Sequence, residues 1–153
     1  MTIREQYDKL RKQYKSLPTF DKLDFEFEIR IIEEHVAVLR EIRKHIMERL
    51  QQYAEYLNEL LQPEPTVANL RESQDFTVKE KAEMYDLYKR LMIAHRAGME
   101  VAISGEEKAN VAYIVEICKD WDKVKKQMLA IIKKVKASWM KDTEVDVDVG
   151  YFG

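Results

Sequence analysis

The sequence predicts an all-α fold: an elongated antiparallel bundle of four main helices with heptad, coiled-coil-like packing. Three observations point there. The chain holds only 4 glycines and 3 prolines in 153 residues, too few turn formers for an all-β fold. Apolar residues recur at alternating steps of three and four, the 3.5-residue period of a helical seam. Three Ser/Thr-x-x-Glu boxes, Thr2 with Glu5, Thr77 with Glu80 and Ser104 with Glu107, have the spacing at which hydroxyl and carboxylate satisfy each other's backbone N–H at a helix start.

The first helix, 3–16, carries Ile3, Tyr7, Leu10, Tyr14 and Leu17 on one stripe and stops before Pro18. The second, 21–62, is capped by Asp21 and carries Ile29, Ile32, Val36, Leu39, Arg43, Ile46, Leu50, Tyr53, Leu57 and Leu60, with Glu34, Glu41, Glu48 and Glu55 on the outer side. Pro63 and Pro65 end it, and Thr66 caps one short helical turn within 67–76. The third helix, 77–103, has two stripes, Tyr85, Tyr88, Met92 and Met99 beside Met84, Leu87, Leu91 and Val101, so it is expected to be buried against two neighbours. The fourth, 105–141, has Val111, Ile114, Cys118, Trp121, Lys125, Met128, Ile132, Val135 and Trp139 in its seam. At 1.5 Å per residue the second and fourth helices run roughly 55–60 Å each. The shorter helices then stack end to end along them, or a second copy of the chain covers the remainder as a homodimer.

Two segments result: a helical domain over 1–142 and a tail over 143–153. In the tail Val145, Val147 and Val149 alternate with Glu144, Asp146 and Asp148, a strand period, before Tyr151 and Phe152. A lone strand cannot satisfy its own backbone. Three readings stand open for it: a disordered acidic tail, a strand paired with a dimer mate, or a segment that docks on another protein.

Charge excludes little, since the formal net charge is -2. One cysteine, Cys118, excludes an internal disulfide framework, and the N-terminus has charges where a signal peptide needs an apolar run. No apolar stretch has the length of a membrane span, so a cytoplasmic protein without a membrane partner is expected. The histidines do not follow the Glu-x-x-His pattern of a di-metal bundle, because Ile32, Ile42 and Met92 precede His35, His45 and His95 by three. Glu41 and His45 stand one helical turn apart and can touch. Cys118 sits on a core face, and no phosphate-binding loop, C-x-x-C pair or H-E-x-x-H helix occurs. Neither an enzyme nor a cofactor or metal is expected.

Two features remain. Arg43 and Lys125 are seam cations that antiparallel pairing sets at one level, where Asp86, Asp122 or a bound anion would have to balance them; a register device is the plainer reading. The last helix also holds Lys123, Lys126, Lys133, Lys134, Lys136 and Lys141 with no acid among them, a face for a phosphate backbone or simply a solvated side. The sequence thus predicts a non-catalytic interaction or assembly module for an unidentified protein partner, docking through Val145, Val147, Val149, Tyr151 and Phe152. The alternative is a nucleic-acid-associated protein using the lysine face.

Overall fold

The computed structural model of the protein describes residues 1–33 and 37–141, and every regular element among them is helical. Helix α1, Ile3–Gln13, opens with the full Thr2–Glu5 box: the Thr2 hydroxyl accepts from Glu5 N and the Glu5 carboxylate accepts from Thr2 N, both at 3.1 Å. Thr19, not Asp21, caps α2, Phe20–Phe27; its hydroxyl accepts from Lys22 N at 3.2 Å. Asp21 lies in the first turn and takes Arg4 at 2.6 Å instead.

The expected helix over 21–62 is broken. α2 ends at Glu28, which adopts left-handed φ 55° and ψ 47°, followed by a 3-10 turn at Ile29–Ile31 and then α3, Val38–Leu61. Asp24 fixes the reversal by accepting from Arg30 N at 2.9 Å and Arg30 Nε at 2.8 Å. The His45 Nδ1–H donates to the Phe27 carbonyl at 3.0 Å, filling a group that the ended helix leaves open. Ile29 and Ile32 remain buried, so the apolar spacing is met by a turn as well as by a helix.

Thr66 caps α4, Val67–Gln74, as its sequence predicts. α5, Val78–Ser104, starts with the reciprocal Thr77–Glu80 box at 3.0 and 3.1 Å. The Ser104–Glu107 box does not form. Ser104 is the last residue of α5 and donates to the Val101 carbonyl at 3.0 Å, while Gly105, at φ 68°, closes the helix in the left-handed conformation that glycine adopts without strain. α6, Glu107–Met140, follows.

Two compact units divide the described chain, one from 1–52 with 92–122 and one from 53–91 with 123 onward, and α3, α5 and α6 supply residues to both. In the first, Tyr7, Leu17, Leu23, Ile29, Ile42, Ile46 and Trp121 are almost fully buried. Trp121 lies 4.9 Å from the Phe27 ring, centroid to centroid, and donates its Nε1–H to Glu26 at 2.8 Å. Gly98 gives room there: a Cβ would stand 2.6 Å from Met47 Sδ and 2.9 Å from the Tyr113 hydroxyl, so a larger residue would have to move those side chains. In the second unit, Leu57, Leu60, Met84, Leu87, Leu91, Met128 and Val135 form the apolar interior.

Two expectations about faces are corrected. α5 buries Met84, Leu87 and Leu91, but Tyr85 is 55% and Met99 44% exposed while Tyr88 and Met92 are half-buried, so the first stripe is covered only in part. In the second half of α6, Val124 and Ser138 are buried, while Ile132 is 41% and Trp139 48% exposed. Steps of three and four fit both registers after Trp121, and the structure takes the three-residue step first. Trp139 can lie outside because Glu72 accepts from its indole Nε1–H at 2.8 Å; Ser138 can lie inside because its hydroxyl donates to the Val135 carbonyl at 2.6 Å.

Candidate functional site

Arg43 of α3 is buried, as a seam position requires, and among the described residues it is tethered by the neutral Asn110 of α6, whose Oδ1 accepts from Nη1 at 3.4 Å. Its Nε finds no hydrogen-bond partner. Burial, and then the nearby Arg40 charge, lowers the guanidinium below its usual range. The expected pairing with Lys125 at one level, with Asp86 or Asp122 as acceptor, is not what holds Arg43: Asn110 does, and Lys125 stands about four turns further along α6.

The lysines of α6 separate into two groups, a division that spacing alone does not reveal. Lys134 sits beside α5, its Nζ donating to both Glu80 oxygens at 2.6 Å and lying 5.1 Å from the Phe76 ring centroid. That hydrogen bond, aided by the Thr77 backbone N–H, holds the Glu80 carboxyl at about 2. Lys141 reaches Asp75 at 3.1 Å. Lys123, Lys126, Lys133 and Lys136 are exposed, and no carboxylate is bonded to them among the described residues.

Among the second group stand exposed apolar side chains: Leu129 is 54%, Ile132 41% and Met140 75% exposed. At 100° per residue, Ile132, the half-buried Lys125, Lys136, Leu129, Met140, Lys133 and Lys126 follow one another around about 120° of the helix circumference. The result is an apolar strip with lysines set into it.

α4 anchors the end of this helix. Arg71, buried, donates Nη2–H to the carbonyls of Ser138 at 2.6 Å and Lys141 at 3.3 Å, satisfying terminal acceptors and meeting the negative end of the helix dipole. Glu72 accepts from Tyr56 at 3.2 Å as well as from Trp139, and Ser73 donates to the Leu60 carbonyl at 2.9 Å, closing α3. None of Arg71, Glu72 and Ser73 was singled out by the sequence, because their partners lie at long separation and only the fold brings them together.

The remaining titratable groups do not converge. Burial raises the Cys118 thiol to about 11, leaving it protonated at neutral pH. Glu41 takes Lys44 at 3.1 Å rather than His45, which is committed to Phe27. His95 accepts at Nδ1 from Arg96 at 2.7 Å, and burial lowers it. Among the described residues no three His, Cys, Asp or Glu side chains gather as a metal site, and no helix is long and apolar enough to cross a membrane. A cleft beside Phe76, Glu80, Met84, Ile131 and Lys134 holds about 200 Å³, below the range of small-molecule sites. A wider depression of about 450 Å³ is lined mainly by exposed side chains, Ser16, Lys108, Ala112, Glu116 and Lys119, and is open surface.

Val145, Val147, Val149, Tyr151 and Phe152, like Glu34, His35 and Val36 of the predicted second helix, lie outside the described residues. No protein-family model, curated protein or solved structure matches the chain.

Proposed function

We propose that this protein is a non-catalytic interaction module in which the second half of α6, and the segment that continues from it, form the contact surface for another protein. One observation carries the reading: Leu129, Ile132 and Met140 are exposed on a single side of α6 among Lys126, Lys133 and Lys136. Contact surfaces between proteins combine an apolar centre with a polar rim, and apolar side chains on a soluble helix otherwise face inward. The continuing segment adds Val145, Val147, Val149, Tyr151 and Phe152, an alternation suited to pairing with a strand edge or seating in a groove. α4 fixes the end of this helix through Arg71 and Glu72.

Affinity capture with the full chain, compared with Leu129→Asp/Met140→Asp and Tyr151→Ala/Phe152→Ala, tests the proposal. The same bound proteins should be lost from both variants while far-ultraviolet circular dichroism stays unchanged. A bound set that neither variant alters defeats it. Light scattering on the full chain reads whether a second copy is among those partners.

Nucleic-acid association is the second reading, favoured by the projection of Lys126, Lys133 and Lys136 from one side of the helix. It requires binding to single-stranded RNA or duplex DNA whose affinity falls steeply with salt, because phosphate contacts release counterions. Fluorescence anisotropy with both probes at low salt decides it, and an unchanged signal removes it. The apolar residues between those lysines, and the engagement of Lys134 and Lys141 with Glu80 and Asp75, weigh toward a protein surface.

A further inference from the structure

Arg43 is a buried cation with a neutral acceptor, and a second cation stands beside it. Among the described residues no carboxylate bonds to Arg43 or to Arg40, which lies one turn earlier on α3 and whose charge acts on the Arg43 guanidinium. Glu41, on the same turn, is taken by Lys44 at 3.1 Å. A cleft of about 210 Å³ opens at this place, within the first unit. Its walls are the first turns of two helices: Val38, Leu39 and Arg40 of α3, and Glu107 and Asn110 of α6. The N–H groups of a first turn have no partner inside their helix and carry the positive end of its dipole, and here two such turns share one cleft. The Arg43 guanidinium ends on Asn110 Oδ1, directly behind the wall, while Asn110 Nδ2 donates to the Glu106 carbonyl at 2.9 Å. Glu107 is an acid in the wall, and its carboxylate accepts from the Tyr14 hydroxyl at 3.0 Å. Nothing lies within 4 Å of where a Gly105 Cβ would stand, so the cleft is open on that side. An apolar residue would sit more easily than Arg43 in this interior, and conflicts of that kind between local chemistry and fold concentrate at functional sites.

We propose that this cleft binds a single tetrahedral oxyanion of the phosphate class, held by Arg40 and by the N–H groups that open α3 and α6, with the buried Arg43 charge attracting it from behind Asn110. Guanidinium groups and helix starts are the two common cradles for such oxygens. The volume admits one phosphate group and is too small for a drug-sized ligand. Free inorganic phosphate and the terminal phosphate of a small phosphorylated molecule present the same oxygens, and the organic part of the latter would lie outside, on the open side beside Gly105. Because Arg43 is 4% exposed, its attraction for the anion is screened by salt less than that of a surface lysine. The site belongs to the first unit and does not depend on the docking surface proposed for α6.

Backbone-amide NMR of the full chain, titrated with inorganic phosphate and separately with chloride at matched ionic strength, tests it. With phosphate the amides of residues 38–40 and 107–109 should shift together along one saturable curve; with chloride they should not. Arg40→Gln and Arg43→Met should each weaken binding about tenfold or more, the worth of an interaction with a charged group. Lys119→Gln removes an exposed cation about three turns further along α6 and should leave the binding constant unchanged. The amide spectrum of each variant also reports whether its fold is kept, and the localisation of the shifts in the parent protein stands as a test without any variant. A parent with no saturable shift overturns the proposal, as do shifts centred on the lysines in the second half of α6, or equal constants in the parent and both arginine variants. Glycerol 3-phosphate on the same protein separates the sources: binding equal to or tighter than that of the free ion assigns a phosphorylated small molecule, and weaker binding assigns inorganic phosphate.

Discussion

Arg43 in the first unit and Lys134 in the second are both helix cations drawn toward an apolar interior, and the protein treats them in opposite ways. Arg43 is 4% exposed, reaches a neutral amide at 3.4 Å and leaves Nε unsatisfied. Lys134 keeps contact with solvent, binds both oxygens of Glu80 and covers the Phe76 ring with its charged end. Its partner is doubly employed, since Glu80 is also the carboxylate of the capping box at the start of α5. The difference teaches that geometry near an interior does not decide the worth of a charge; the acceptor does. An isolated buried cation loses hydration without a matching attraction, whereas a paired cation at the rim loses little and gains direction.

The largest effect should come from removing the acceptor that Arg43 has among the described residues. Asn110→Leu should cost about 3 kcal/mol in chemical denaturation, because a buried charge is left without its hydrogen bond. In an Arg43→Met background the same change should cost much less, and equal costs in both backgrounds would show that the two side chains do not depend on each other. Next in size, Arg43→Met alone should raise stability by about 1–2 kcal/mol, since an apolar chain of similar length needs no acceptor; a loss would mean that the guanidinium is balanced after all.

For the rim pair the reading is by pH. The Glu80 carboxyl is held at about 2 against an ordinary 4.5, so the folded state keeps it charged where the unfolded state takes up a proton. Its contribution is complete above about 4.5 and is lost as pH falls from there toward about 2. Glu80→Gln should therefore flatten the acid limb of the melting curve in that window and leave the neutral-pH profile parallel to the parent's; an unchanged acid limb would break the contrast with Arg43. The smallest effect concerns Cys118: alkylation by iodoacetamide should be slow at neutral pH and accelerate toward pH 11, tracking the thiolate. Rapid labelling at pH 7 would show that burial does not protect it.

How much of this the sequence discloses depends on the distance between cause and effect. Thr2, Thr66 and Thr77 are legible as caps because each acts on a residue three positions away. Ser104 misleads because Gly105 offers a stronger local solution, a left-handed helix end, to the same backbone problem. The break after Phe27 is hidden because Glu28 is neither glycine nor proline, and because Ile29 and Ile32 keep the apolar rhythm through the turn. The candidate surface is legible only in outline. A lysine run is visible, but its division depends on Glu80 and Asp75, more than fifty residues from their partners, and the exposed state of Ile132 depends on a register that steps of three and four leave open.

Each unit is assembled from two stretches of chain with a stretch of the other between them. During synthesis, residues 53–91 are complete while the first unit still lacks everything from 92 to 122, and a nascent chain that has emerged only to residue 100 contains neither unit whole. Apolar faces such as that of Leu57 and Leu60 must then wait for sequence still to be translated, a delay that favours holding by chaperones and slows folding relative to a bundle closed hairpin by hairpin. A protease cut between 52 and 123 severs both units at once, so fragments of this protein should fold only when recombined.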